Sequence, residues 1–263
     1  MIFELPEEEF RIPPPLGPDL GRKDVHVWKA NLHAEFLQSV ALWPILSEKE
    51  KERAGKFHFP RDRNRFVICR GILRILIGNY LHRDPADIDF TYNQYGKPSL
   101  ANAQGEEDLR FNVSHSNELA LYAFARSCEI GVDIEFIVAK EDELQIAERF
   151  FSPTEVGALR TLRTDLHTEA FYLCWTRKEA FVKARGEGLS LPLDQFAVSL
   201  VPGEPARLLS IKGDPGELRK WSMESLYPGP GYAAAVVVEG DTCNLECWVF
   251  PQRMWNRFQA SRS

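Results

Sequence analysis

The chain has 263 residues, of which 44% are hydrophobic and 27% charged, the balance of a globular protein that can bury one large core or two small ones. A formal net charge of −6 disfavours general nucleic-acid binding, which would favour a basic excess. There is no apolar run of the ~18 residues needed to span a bilayer, no secretion signal, and no C-x-x-C pair among the five cysteines. We therefore expect a cytoplasmic protein that binds neither nucleic acid nor membranes.

The first part of the chain is predicted to contain an arm, a strand, two helices and a group of strands. The arm, residues 1–22, is rich in proline and glycine, and no chemistry is assigned to it. Ser47 and Glu50 have the spacing of a helix capping box. The predicted elements are a strand at 25–30, a helix from 48, a helix over about 61–82, and strands at 90–92, 109–116 and 119–125.

Basic side chains are concentrated in the two predicted helices. Such a cluster in an acidic chain suggests an anionic ligand, although a solvated helix surface is the commoner explanation. Arg70 and Arg74 lie one turn apart, so they are either exposed to solvent or able to bind a phosphate together. The cluster comprises Lys49, Lys51, Arg53, Lys56, Arg61, Arg63, Arg65, Arg70 and Arg74.

Residues 131–135, with the sequence G-V-D-I-E, are predicted to form a short strand. Side chains alternate between the two faces of a strand, so Asp133 and Glu135 share one face and Val132 and Ile134 the other. Two carboxylates so placed suit Mg²⁺, which takes one or two protein carboxylates and completes its coordination with water and phosphate. The alternative is an amphipathic strand whose acidic face meets water.

The rest of the chain repeats the order of the first part. Helices are predicted at 142–151, from 153 and at 168–184, followed by strands at 196–200, 206–210, 220–226, 231–238 and 244–250, and a tail at 251–263. This order suggests two halves, 23–128 and 129–250, with a ligand cleft between them.

The long predicted helix contains the sequence W-T-R-K-E-A-F-V-K at 175–183. Trp175, Glu179 and Lys183 are four residues apart and lie along one side of the helix. A surface ion pair would explain Glu179 and Lys183, but it would not explain the neighbouring Trp175 and Phe181.

Taken together, four motifs resemble those of the 4′-phosphopantetheinyl transferases. The length of the chain is similar to that of the Sfp type of this family. The motifs are Y-G-K-P at 95–98, N-V-S-H-S at 112–116, G-V-D-I-E at 131–135 and W-T-R-K-E-A-F-V-K at 175–183. Each motif alone is weak, whereas four in order are specific. The resemblance covers residues 25 to 240.

This resemblance implies an α+β fold made of two similar α/β halves related by a pseudo-two-fold axis. Each half would be a small, mainly antiparallel sheet packed with helices, and the active site would lie at their interface. The implied enzyme is a monomer that depends on Mg²⁺. It moves the phosphopantetheine arm of coenzyme A onto a serine of an apo acyl, peptidyl or aryl carrier protein and releases 3′,5′-ADP.

The resemblance also implies roles for individual residues. Asp133, Glu135 and Glu179 would bind the metal, Glu179 would also accept the serine proton, and Lys183 would stabilise the leaving group. Phe181 and the 186–192 loop would contact the carrier, whereas the role of Lys178 stays open. Residues assigned to coenzyme A are Arg53, Tyr95, Gly96, Lys97, Pro98, Asn112, Val113, Ser114, His115, Asp133, Glu179 and Lys183.

One departure concerns the clamp for the 3′-phosphate of coenzyme A, which the resemblance assigns to Arg53 with Arg70 and Arg74 in support. Glu50 stands where relatives often have a basic residue, so a thinner clamp is expected. Two other functions use the same residues: a metal-dependent hydrolase of the coenzyme A pyrophosphate, and a non-catalytic module that binds coenzyme A or a carrier. The first would release phosphopantetheine without a carrier, and the second would be indifferent to Mg²⁺.

Overall fold

The structure is a computed structural model that describes residues 9–14, 18–33, 39–101, 108–139, 142–212, 216–241, 244–251 and 254–255. The α-helices in these ranges are α1 (Ser39–Leu42), α2 (Glu48–Gly55), α3 (Pro60–Leu81), α4 (Glu143–Phe150), α5 (Pro153–Thr161) and α6 (His167–Arg185). Short 3-10 helices occupy Trp43–Ile45, Pro85–Asp87, Thr164–Leu166, Gly188–Ser190, Leu193–Gln195 and Glu217–Lys220. No helix in the described part of the chain is both long enough and apolar enough to cross a membrane.

The strands form two main sheets and two short ribbons. They are β1 (Phe10–Arg11), β2 (Asp24–Asn31), β3 (Phe90–Tyr92), β4 (Pro98–Leu100), β5 (Leu109–Ser116), β6 (Leu119–Arg126), β7 (Ile130–Phe136), β8 (Phe196–Val198), β9 (Leu208–Ile211), β10 (Trp221–Leu226), β11 (Tyr232–Glu239) and β12 (Asn244–Val249). The first sheet has the order β1-β12-β2-β6-β5 and the second β10-β11-β7. The ribbons are β3-β4 and β8-β9.

The two sheets differ in strand direction. The second sheet is antiparallel throughout, as the resemblance implies. In the first sheet β12 is parallel to both β1 and β2, while β2, β6 and β5 are antiparallel. This sheet is therefore mixed rather than mainly antiparallel, because the chain returns to it after completing the second sheet. The sequence division had grouped the residues of β12 with the C-terminal half.

The ends of the described chain also pack on the first sheet. Phe10 in β1 is 5% exposed, and Trp255 is 4% exposed in the same core as Trp28. The prediction of a simple tail after residue 250 is wrong for Met254 and Trp255, because these apolar side chains are sheltered against that core. Residues 252–253 and 256–263 lie outside the described residues.

Local sequence signals explain where two helices begin. At α2, the Ser47 Oγ accepts from the Glu50 backbone N–H at 3.4 Å, and the Glu50 carboxylate accepts from the Ser47 N–H at 2.8 Å. Ser152 and Glu155 form the same box at α5, with Pro153 in the first turn. Each box satisfies backbone N–H groups that have no partner inside the helix. The predicted starts of both helices are confirmed.

The core has three apolar layers. Helix α3 packs on one face of the first sheet, where the Trp28 Nε1–H donates to the Tyr80 hydroxyl at 2.7 Å. Helix α6 packs on one face of the second sheet. The remaining faces of the two sheets pack on each other through residues such as Val27, Leu121 and Val132. This stacking brings the edge strands β5 and β7 alongside one another.

Candidate active site

Strands β5 and β7 are the edges of their respective sheets and are joined by side chains. The Ser114 hydroxyl donates to Asp133 Oδ1 at 2.8 Å, and the Ser116 hydroxyl donates to Glu135 Oε2 at 2.8 Å. Both pairs are 19 residues apart in sequence, so the strands run side by side in the same direction. The acidic face of β7 is therefore held against polar side chains of β5.

Asn112 extends this junction by accepting a hydrogen bond from the Val132 N–H at 2.9 Å through its Oδ1. The alternation predicted for β7 is present, since Val132 and Ile134 lie in the apolar layer between the sheets. Asp133 is only 3% exposed. The alternative of an acidic strand face in water is wrong for Asp133.

Asp133 has one engaged carboxylate oxygen and one without a partner. Its Oδ1 accepts from Lys183 Nζ at 2.6 Å and from the Ser114 hydroxyl. Its Oδ2 is buried and has no hydrogen-bond partner among the described residues. A buried carboxylate oxygen left unpaired is costly, so this atom is suited to an incoming cation or donor.

Glu179 lies one turn before Lys183 on α6. Burial raises the pKa of Glu179, and the neighbouring Asp133 carboxylate adds to that rise. Lys183 lowers this pKa, while Glu135 raises it further. Lys183 binds Asp133 and Ser114 rather than Glu179, so a simple surface pair within the helix is excluded.

The position of α6 depends on Gly131, two residues before Asp133 on the same face of β7. A Cβ atom on Gly131 would lie 2.1 Å from the Ala180 carbonyl oxygen and 2.3 Å from the Ala184 nitrogen. Only glycine allows the helix backbone to approach the strand this closely. The contact falls on the stretch of α6 that carries Glu179 and Lys183, which brings both side chains to the β5–β7 junction.

Two cavities meet at this junction. A cavity of about 240 Å³ is lined by α2, α3, β5 and the 95–98 turn, and one of about 220 Å³ by that turn and α6. They share Gly96, Pro98 and Asn112. The residues predicted to bind coenzyme A that line the first cavity are Arg53, Gly96, Pro98, Asn112, Val113, Ser114 and His115. Those that line the second cavity are Tyr95, Gly96, Lys97, Pro98, Asn112, Glu179 and Lys183. Of the residues predicted to bind coenzyme A, only Asp133 lines neither cavity, because it lies beneath Ser114 and Lys183.

The structure corrects the roles suggested for two arginines. Arg74 is 1% exposed, with its Nε 2.8 Å from Glu50 Oε2 and a second donor bound to the Pro85 carbonyl. It is neither solvent-exposed nor able to reach a phosphate. Arg70 lines the first cavity, but its Nε lies 3.3 Å from Glu50 Oε1. Glu50 therefore points into the protein, where it caps α2 and pairs with both arginines.

The other charged and aromatic residues of the α6 motif hold the helix in place. Lys178 is fully buried, paired with Glu155 at 2.8 Å and bonded to two carbonyl oxygens. Trp175 stacks with Phe171. Phe181 is 1% exposed, so its side chain is not available to a carrier as the resemblance suggested.

Sequence reasoning assigned no role to two polar residues at this site: Ser116, although it lies in the 112–116 motif, and Asn93. Ser116 lies two residues after Ser114 on the same strand, so strand alternation could have placed it on the same face. Asn93 organises the 95–98 turn, a role that asparagine often takes in turns and that its place just before Y-G-K-P could have indicated. Within the ranges that the structure describes, no group of three His, Cys, Asp or Glu residues is arranged to hold a metal ion.

Comparison with known proteins identifies the family of this chain. Residues 129–237 match the model of the 4′-phosphopantetheinyl transferase superfamily, and residues 27–127 match a model described as 4′-phosphopantetheinyl transferase, N-terminal. The chain is 38% identical over 237 residues to the 4′-phosphopantetheinyl transferase HetI of Nostoc sp. (strain PCC 7120), covering 90% of this chain and 97% of the relative. It is 35% identical over 193 residues to the 4′-phosphopantetheinyl transferase Sfp of Bacillus subtilis (strain 168), covering 73% and 81% respectively.

A third relative, a putative 4′-phosphopantetheinyl transferase (slr0495) of Synechocystis sp. (strain PCC 6803), is 36% identical over 181 residues, covering 69% of this chain and 72% of the relative. The matches to HetI and Sfp span most of both chains. The resemblance inferred from the sequence is therefore confirmed. The chain belongs to the 4′-phosphopantetheinyl transferase superfamily, is of the Sfp type, and transfers phosphopantetheine to carrier proteins.

Proposed function

We propose that coenzyme A is the donor and binds across the two cavities, with its pyrophosphate at the β5–β7 junction. The observation that carries this proposal is the hydrogen-bonded group of Ser114, Asp133 and Lys183, which lies where the two cavities meet. Hydroxyl and ammonium donors at that point suit phosphate oxygens. The nucleotide would occupy the cavity beside Arg53 and His115.

Asp133, Glu135 and Glu179 are the residues that would hold Mg²⁺. The donor chemistry fits, because these are carboxylate oxygens and Asp133 Oδ2 is buried without a partner among the described residues. Mg²⁺ requires only one or two protein carboxylates when phosphate supplies further oxygens, so a preformed cluster of three is not needed. When bound, the ion neutralises charge that develops on the pyrophosphate.

The protein's own groups would then carry the transfer. The carrier serine oxygen forms a bond to the phosphorus that bears the pantetheine arm, and the bond from that phosphorus to the bridging oxygen breaks, which releases 3′,5′-ADP. The serine proton passes to Glu179, directly or through water. Lys183 supplies positive charge next to the leaving oxygen.

Further parts of the proposal concern architecture and partners. A pseudo-two-fold relation between the halves, with the site at their interface, is supported by the stacking of the two sheets and by the β5–β7 junction. Partners are proposed to be apo acyl, peptidyl or aryl carrier proteins. The monomeric state and the cytoplasmic location stay predictions.

A labelling assay tests the proposed chemistry. Purified enzyme, apo-carrier, coenzyme A and Mg²⁺ are combined, and the mass gained by the carrier is followed. We expect Asp133→Asn and Glu179→Gln to slow labelling by more than ~100-fold, since each removes charge from the reacting centre. A chelator should stop the reaction, and added Mg²⁺ should restore it.

The matched control is Asp165→Asn, which makes the same change at a carboxylate that is 59% exposed and lies two residues before the start of α6. This variant should label the carrier at the wild-type rate. Unchanged labelling by Asp133→Asn, with its circular dichroism spectrum intact, would contradict the assigned site. A reaction without carrier separates transfer from hydrolysis, because only a hydrolase would release phosphopantetheine.

A further inference from the structure

The turn that lines both cavities is built around the side chain of Asn93. Its Oδ1 accepts hydrogen bonds from the backbone N–H groups of Tyr95 and Lys97, both at 2.9 Å. The Asn93 N–H also donates to the Lys97 carbonyl at 3.1 Å, and the Gly96 N–H donates to the Asn93 carbonyl at 3.0 Å. These four bonds close residues 93–97 into one rigid unit.

The amide nitrogen of the same side chain binds the C-terminal end of α6. Asn93 Nδ2 donates to the Gly186 carbonyl at 2.8 Å, across 93 residues of sequence. The orientation of the amide follows from its partners, because two N–H groups require an acceptor on one side and a carbonyl requires a donor on the other. One side chain therefore joins the turn to the C-terminal end of α6.

Lys97 makes a second connection between the same two elements. Its Nζ lies 3.0 Å from the Ala184 carbonyl, 2.7 Å from Glu129 Oε2 and 3.3 Å from the Ile130 carbonyl. The last carbonyls of a helix have no partner inside it and carry partial negative charge, so an ammonium group is stabilised there. The three protein acceptors use all three donors of this ammonium.

The two elements also approach closely. Gly186 ends α6 with a φ of +69°, and a Cβ on it would lie 3.2 Å from Lys97 Cδ and 3.4 Å from Asn93 Nδ2. A left-handed residue at this position is most readily glycine. The turn thus packs closely against the helix end, where even a Cβ atom would be in tight contact with Lys97.

On this basis we propose that Asn93, together with Lys97, is a positioning residue for the transfer reaction. The pair fixes the turn that lines both cavities relative to Lys183 and Glu179, which lie about 5 and 10 Å back along α6 at ~1.5 Å per residue. Lys97 acts here through its contact with the last turn of α6. The inference rests on the proposed function, because the turn matters for the reaction only if coenzyme A binds beside it.

The variant Asn93→Asp isolates the connection to the helix. It keeps a carboxylate oxygen for the Tyr95 and Lys97 N–H groups, but it replaces the donor to Gly186 with an oxygen. The matched control is Gln94→Glu, the same change of amide to carboxylate at an exposed side chain that is bonded to none of the described residues. The control reports how much the added negative charge alone weakens the binding of anionic coenzyme A.

Relative to Gln94→Glu, we expect Asn93→Asp to lower kcat by about tenfold or more and to change the KM for coenzyme A less than about threefold. The effect falls on kcat because small misalignments of reacting groups slow the reaction strongly. Asn93→Ala, which also loses the bonds within the turn, should raise KM as well. A merely structural role would lower the melting temperature without this separation of kcat from KM. Equal kcat for Asn93→Asp and Gln94→Glu would overturn the proposal.

Hydrogen exchange provides a readout that does not need turnover. Amides at 186–188 should exchange faster in Asn93→Asp than in wild type, whereas the Tyr95 and Lys97 amides keep their acceptor and should not. Gln94→Glu should leave all of these amides unchanged. If wild-type enzyme failed to label any carrier, the proposed function would fail while exchange still tested the connection. Unchanged exchange in Asn93→Asp would reject the connection even in an active enzyme.

Discussion

Replacing Gly131 with alanine tests whether the approach of α6 to β7 sets the geometry of the site. The added Cβ would lie 2.1 Å from the Ala180 carbonyl oxygen, whereas ordinary contact begins at 3.4 Å. The helix backbone must therefore retreat by roughly 1.3 Å. The atoms that would clash belong to backbone on both sides, so rotation of a side chain cannot relieve the contact.

Two consequences follow from this displacement. Overpacking of this kind costs ~1–3 kcal/mol of folding free energy, equivalent to a fall in melting temperature of about 2–4 °C per kcal/mol for a chain of this size. Glu179 and Lys183 flank the contact, so both would move away from Asp133. A displacement near 1 Å at a reacting centre lowers the rate by ~100-fold. We therefore expect Gly131→Ala to fold but to label its carrier at least ~100-fold more slowly.

The measurements are thermal unfolding by circular dichroism and carrier labelling by mass spectrometry. Gly157→Ala is the control, because a Cβ on Gly157 in α5 meets nothing within 4 Å. This second variant should be as stable as wild type or slightly more so, since alanine favours a helix over glycine, and fully active. If Gly131→Ala matched wild type in both measurements, the backbone contact would not be what positions α6.

Three further substitutions test features of the fold away from the site. Lys178→Met should lower the free energy of unfolding in urea by ~3–5 kcal/mol, because it leaves the buried Glu155 carboxylate without its ion-pair partner. A second substitution, Glu155→Gln, should recover part of that loss, because it removes the unpaired charge. Burial lowers the pKa of His26 below its usual 6.5, while the nearby Glu246 carboxylate opposes that shift. The unfolded chain then binds the proton more readily than the folded chain, so the stability contributed by neutral His26 is complete above about pH 6.5 and is lost as the pH falls from there. The free energy of unfolding in urea should therefore decrease between pH 7.5 and pH 5.5, and this decrease should be smaller in His26→Asn than in wild type. Trp255→Ala should cost about 3 kcal/mol and lower the melting temperature, whereas no change would mean that the C-terminal segment does not contribute to the core.

Local patterns predicted the elements well because their causes are local. The capping boxes at Ser47 and Ser152 depend on residues three positions apart, and both helices begin where the boxes place them. The strand containing Asp133 was recognised from alternation over five residues. For such features the chain needs no information about distant neighbours.

Partner choice depended on distant residues and could not be predicted in the same way. The spacing of Lys183 and Glu179 left a surface ion pair within the helix as an alternative, yet Lys183 binds Asp133, which is 50 residues away in sequence. The spacing of Arg74 one turn from Arg70 indicated solvent or a shared phosphate, but Arg74 is buried and pairs with Glu50 from the preceding helix. Spacing along one helix shows which side chains share a face, but it does not show what packs against that face.

Two of the residues that fix α6 have no part in the chemistry themselves. Gly131 lets the helix backbone touch β7 beside Glu179 and Lys183, and Asn93 holds its C-terminal end to the cavity-lining turn. The motif at 175–183 also combines positioning residues with charged residues of the site. Lys178 binds only groups that hold the helix in place, whereas Glu179 and Lys183 lie beside Asp133. A helix held at more than one point can keep Glu179 and Lys183 within reach of Asp133 on β7. A helix held at a single point could pivot. Rates in this enzyme should therefore be as sensitive to the residues that position α6 as to the charged groups that α6 carries.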